Sequence, residues 1–152
     1  MAAPSLGAKI YTRTKHRKKS PPNAFADPIW QIGAQECMRT IVQVEYRSGL
    51  LSVREEILQF LGHPVVSAFG SQAAKNLDLS NSDVGVILIG HGAPWEERCQ
   101  LITHFKQTLP GIPVIASLRQ SDVPFGNADF NCPADNPPEW VRLVRQALAG
   151  MN

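Results

Sequence analysis

Val84-Gly85-Val86-Ile87-Leu88-Ile89, directly after Asp83, is an unbroken apolar run. A strand with one wet face alternates apolar with polar residues. A run without alternation needs apolar neighbours on both faces, which is the situation inside a parallel sheet covered by helices on each side. The flanking segments repeat the theme. Thr40-Ile41-Val42-Gln43-Val44 is rich in β-branched residues and reads as a strand. Pro64-Val65-Val66-Ser67-Ala68, Pro113-Val114-Ile115-Ala116 and Asp129-Phe130-Asn131-Cys132 read as three shorter ones.

Helical patterns separate these strands. From Ser48 to about Leu61 the apolar residues Leu50, Val53, Ile57, Leu58 and Leu61 recur at three- and four-residue spacing, predicting one buried face with Ser48 as the cap. Gly62 and His63-Pro64 end that helix. Ser71 is expected to cap a short helix reaching about Asn76. Pro94, Glu96 and Glu97 suit the first turn of a third helix. Its inner face is expected to be Trp95, Cys99, Ile102, Phe105 and Leu109, with Pro110-Gly111 as its stop. Residues 118–127 carry Pro124 and Gly126 and only a faint helical pattern, read as a fourth helix. Asn136 caps a last helix with Pro137 in its first turn, and Gly150 ends it.

Strand–helix alternation with short loops predicts an α/β fold: three layers, with a doubly wound five-stranded parallel sheet in the order 2-1-3-4-5. In that order a ligand crevice lies beyond the carboxyl ends of the first and third strands. Glu45-Tyr46 and Gly90-His91 are expected to meet there, with Ser117-Leu118 and Cys132 at the ends of the fourth and fifth strands.

The chain of 152 residues is sized for one domain. No window approaches the roughly 18 apolar residues of a membrane helix. Three cysteines with no C-x-x-C spacing favour a reducing cytoplasm over a disulfide or zinc framework. Charge is uneven. Residues 1–37 hold Lys9, Arg13, Lys15, Arg17, Lys18 and Lys19 against Asp27 and Glu36, whereas the remainder is mildly acidic. Residues 1–37 are therefore read as a basic tail without secondary structure, and residues 38–150 as the folded domain. Trp30 and Ile32 are tail residues with apolar area to dock on the body. Nucleic-acid binding through the tail is a third functional reading, and it predicts affinity that falls steeply with salt.

Over residues 38–150 the pattern resembles response-regulator receiver domains of the CheY-like, flavodoxin-like superfamily. An opening strand leads into an amphipathic helix; the buried third strand ends four residues before Pro94; Pro113 opens the fourth strand; Ala128-Asp129-Phe130 and Cys132-Pro133 match the fifth. The resemblance implies a phosphorelay signalling module. It also places the phosphoacceptor aspartate on Gly90, the acidic pair on Glu45 and Tyr46, the threonine or serine on Leu118 beside Ser117, and the lysine on Cys132. Phosphoryl transfer needs a carboxylate nucleophile, magnesium held by several oxygens, and cations on the moving group. The chain is therefore expected to be a pseudo-receiver. It would be neither an enzyme nor a carrier of metal or cofactor, and it would act on a protein partner.

Gly90-His91-Gly92 supports a competing reading, a small enzyme or metal-binding protein centred on His91. Gly-His-Gly turns occur after a strand in cobalt- and nickel-type chelatases, though after their first strand. The plainer reading is a tight turn that exposes a histidine. Cys132 is read as a small buried hydrophobe, and Trp140 as a staple for the last helix. No phosphate loop, G-x-S-x-G or H-E-x-x-H motif is present.

Overall fold

A computed structural model describes residues 8–11 and 38–150. The apolar run is a strand, β4 (Val84–Ile89), with all six residues buried. β2 (Thr40–Glu45) and β5 (Val114–Leu118) flank it, with β3 (Val65–Phe69) beyond β2 and β6 (Phe130–Pro133) beyond β5. These five strands are parallel, in the expected order 2-1-3-4-5.

A sixth strand, β1 (Ala8–Tyr11), pairs antiparallel with the outer edge of β3. This corrects the reading of those four residues as unstructured tail. Four residues carry little pattern of their own; their order comes from the open edge of β3, whose row of N–H and C=O groups invites a partner. The rest of the basic tail, Trp30 and Ile32 included, lies outside the described residues.

Among the described residues four helices cover the sheet: α1 (Ser48–Gln59), α2 (Ser71–Lys75), α3 (Trp95–Thr108) and α4 (Pro137–Ala149). Alternation along the strands divides the core. Val42, Val44, Val66, Ile87, Ile89 and Ala116 pack with Leu101, Ile102 and Phe105 of α3. Ile41, Val65, Val86, Leu88 and Ile115 pack with Leu58 of α1 and with Trp140, Leu143, Val144 and Ala147 of α4. Trp140 is thus the staple expected of it. None of these helices is long and apolar enough to cross a membrane.

Three expectations fail in ways that matter for the site. The buried positions of α1 are Arg54, Glu55 and Leu58, while Val53 is exposed, so the helix is rotated from the phase its apolar residues indicate. In α3 the buried set is Arg98, Leu101, Ile102 and Phe105, with Trp95 and Cys99 only partly covered. No helix forms between β5 and β6. Pro124 lacks an N–H to donate, and Phe125 N–H donates instead to Asn131 Oδ1 at 2.8 Å, while Asn131 Nδ2 donates to the Phe125 carbonyl at 3.1 Å.

The caps also differ in part. Asn136 Oδ1 accepts from Glu139 N–H at 3.2 Å, as expected. Ser48 and Ser71 are first helical residues rather than caps; Arg47 and Gly70 precede them. Gly70 has φ of 88°, a conformation that favours glycine.

Candidate functional site

The carboxyl ends of β2 and β4 meet as expected, and their meeting point is filled. Glu45 closes β2 on the face covered by α1 and α4, and α1 carries Arg54 to it. Arg54 Nη1 lies 2.8 Å from Glu45 Oε2, with both side chains almost wholly buried. Glu45 Oε1 accepts from Tyr46 N–H at 3.0 Å. The Arg54 guanidinium carbon sits 5.7 Å from the centre of the Trp140 ring, a cation–π contact that desolvation strengthens.

Gly90 lies beneath this pair. A Cβ added there would fall 2.5 Å from Glu45 Cδ and closer still to both carboxylate oxygens. The Glu45 side chain therefore occupies the space into which any side chain at the end of β4 would project. Two residues on, a Cβ on Gly92 would meet Tyr46 Cβ at 2.7 Å. Gly90→Ala is accordingly expected to cost about 1–3 kcal/mol, the usual range for overpacking a filled site. Gly126→Ala is the control, because nothing lies within 4 Å of its added Cβ. Equal urea midpoints for the two variants would show that Glu45 does not hold that space.

The other face of the sheet end has its own buried arginine. Arg98, from the second turn of α3, is fully enclosed. Its Nε donates to the Ala93 carbonyl at 2.9 Å, Nη1 to the Ser117 carbonyl at 2.9 Å, and Nη2 to Asp122 Oδ2 at 2.8 Å. Its guanidinium carbon lies 5.1 Å from the centre of Phe125, which stacks on Trp95 at 5.2 Å. Arg119 adds a strap: its Nε donates to the His91 carbonyl at 2.7 Å and its Nη2 to the Ala93 carbonyl at 3.0 Å. These contacts tie the β5–β6 connection to the loop after β4.

The expected site residues divide accordingly. Glu45, Tyr46, Gly90 and His91 converge. The His91 imidazole is half-buried and its Nδ1 has no hydrogen-bond partner among the described residues. Burial pushes its pKa down from the ordinary imidazole range; Glu45 opposes this, and the Arg54, Arg47 and Arg119 charges push the same way as burial. The Tyr46 hydroxyl shares a 2.8 Å hydrogen bond with Ser71 Oγ, and burial raises its pKa. Ser117 is buried, and its carbonyl accepts from Arg98 Nη1. The Leu118 carbonyl accepts from Ala134 N–H at 2.9 Å. Cys132 is buried in the α1/α4 layer, and burial pushes its thiol pKa up, away from the reactive thiolate. Among the described residues no three His, Cys, Asp or Glu side chains come together as a metal site.

Sequence reasoning missed Arg54, Arg98, Arg119 and Asp122. A signal existed for two of them. Arg98 continues the buried stripe Leu101, Ile102, Phe105 back by one turn, and Arg54 sits one turn before Leu58. An arginine on a buried stripe needs a partner inside the protein.

No protein-family model matches the chain, and no curated protein does. Solved structures do. A receiver domain of a signal-transduction histidine kinase from Syntrophus aciditrophicus aligns with a TM-score of 0.65 at 21% identity, covering 75% of this chain and 92% of its own. A CheY-like receiver domain from Methanospirillum hungatei gives 0.61 at 20% identity, covering 74% and 95%. A response regulator from Thermotoga maritima gives 0.61 at 16% identity, covering 72% and 99%. The chain has the receiver fold.

Proposed function

We propose that this chain is a receiver-like signalling module that has lost phosphoryl chemistry and works by binding another protein. One observation carries the reading: the Glu45–Arg54 pair lies over Gly90, where the receiver resemblance puts the phosphoacceptor. Glycine offers no nucleophile. The one acid left from the acidic pair is committed to an arginine, so it is not free to hold a cation. The Thermotoga maritima regulator is described in complex with magnesium and beryllofluoride, a ligand set that needs an open acidic pocket. Here two buried arginines fill the corresponding end of the sheet, one on each face.

Control then falls to abundance and partner binding rather than to phosphorylation. The helix expected between β5 and β6 does not form, so a partner meets a loop pinned by Arg98 and Phe125 where that helix would stand. Two free cysteines in the described residues fit a reducing cytoplasm.

The partnerless Nδ1 of His91 favours the competing metal reading. Calorimetric titration of the full chain with magnesium, nickel and zinc separates the two. The expected result is no stoichiometric binding. Stoichiometric magnesium would mean that Glu45 leaves Arg54 to serve as a ligand. Nickel or zinc binding that His91→Ala abolishes would establish a metal site at His91 in place of a signalling module.

A further inference from the structure

Two exposed arginines bracket the loop after β4. Arg119 follows β5 and holds the His91 and Ala93 carbonyls through Nε and Nη2, which leaves its Nη1 without an acceptor among the described residues. Arg47 follows β2, and its Cγ lies 3.6 Å from the place a Cβ on Gly92 would take. Neither arginine forms an ion pair among the described residues. Asp122, an acid that feels the Arg119 charge, is already held by Arg98. The charges acting on the His91 ring include those of Arg54, Arg47 and Arg119 against Glu45, and Glu45 is paired with Arg54. Within this surplus of fixed positive charge, His91 Nδ1 is enclosed and has no partner. An enclosed polar atom left unpaired points to a water or an ion beside it. Cations on this side of the loop repel a metal and attract an anion.

We propose that Arg47, His91 and Arg119 form an anion site at the mouth of the crevice, which takes a phosphate group reversibly and without a covalent bond. The start of α1 adds to it. That helix begins directly after Arg47 with no capping side chain and no acid in its first turn, so its first N–H groups and their partial positive charge are left for an anion. Phosphate suits the site better than a carboxylate because its oxygens spread the charge toward several donors at once. Glu96 and Glu97, in the first turn of α3, are the acids that limit the affinity. The inference deepens the proposed signalling role by giving the crevice a ligand. It rests on that reading in one respect, that phosphate binds there but is not attached.

The test is a titration of the full chain with inorganic phosphate at constant ionic strength, followed by amide chemical shifts, with O-phosphoserine as a second probe. The expected result is saturable one-to-one binding, with the largest shifts in residues 47–50 and 90–93. Either probe binding in this way satisfies the proposal. The tighter one names the source, a free ion or a phosphorylated side chain. Arg47→Gln and Arg119→Gln should each weaken binding at least about tenfold, the loss expected of one charge-assisted hydrogen bond. The control is Arg145→Gln, which removes an equally exposed arginine from the second half of α4. A charge so far along the helix is screened, so affinity should stay within about twofold. The shifts on the unmodified chain do not depend on any variant folding. Absence of saturable shifts overturns the proposal, as does unchanged affinity in Arg47→Gln or an equal loss in all three variants. Saturable shifts produced by zinc or nickel and not by phosphate overturn it in favour of the metal reading. Failure here leaves the loss of phosphoryl chemistry standing, because that is read from a covalent adduct and not from reversible binding.

Discussion

Arg54→Met is expected to lower the stability of the fold by about 3–5 kcal/mol, the range seen when one member of a buried ion pair is removed. Methionine keeps most of the volume but leaves the Glu45 carboxylate enclosed with only the Tyr46 N–H beside it. It also removes the cation over Trp140. The control is the pair of substitutions Glu45→Gln with Arg54→Met. Glutamine still accepts from Tyr46 N–H and leaves no stranded charge, so the double variant should recover most of the loss. Urea midpoints at constant slope give both numbers. A single variant within about 1 kcal/mol of the parent would put the pair in the class of exposed salt bridges. The claim that it seals the crevice would then go.

Arg98→Met is expected to cost a similar amount, about 3–5 kcal/mol, with a different local consequence. The Ala93 and Ser117 carbonyls and the Asp122 carboxylate lose one donor group each. Ala93 and Asp122 lie in the loops that follow β4 and β5, and Ser117 lies in β5 itself, one residue from its end, so the damage should concentrate at this end of the sheet. Amide exchange across residues 119–129 should accelerate well beyond that of β4. Asp122 also accepts from Arg119 N–H at 2.8 Å, and that contact alone cannot replace a guanidinium that binds three groups at once. If the global stability fell while 119–129 kept its exchange rates, Arg98 would be a packing residue rather than the anchor of that loop.

The strands were legible because burial on two faces leaves a strong mark on composition. Val84–Ile89 has the same limits in sequence and structure, and the other four parallel strands differ by one or two residues. The site was legible only as a set of absences. Glycine at position 90 is visible in the sequence, but the reason for it is a carboxylate 45 residues earlier in the chain, and such a contact has no periodicity. Arg54 and Arg98 break the rule that charged residues lie outside, so patterns built on that rule turned α1 to the wrong phase and set Trp95 and Cys99 where Arg98 belongs. The missing helix between β5 and β6 had a clear sign in Pro124. What replaces it, the Asn131–Phe125 exchange and the Trp95 stack, is tertiary and unreadable in advance. β1 had no sign at all, because the edge it pairs with orders it.

Treatment of the full chain with acetyl phosphate and magnesium, followed by intact-mass analysis, tests the account most directly. The chain should gain no phosphoryl group, because Gly90 has no nucleophile and Glu45 is held by Arg54. An acid-stable, base-labile adduct on a carboxylate at the crevice would contradict the account by showing that the end of β4 still accepts phosphate. An acid-labile adduct mapped to His91 would contradict it differently, by making this chain a histidine phosphoacceptor.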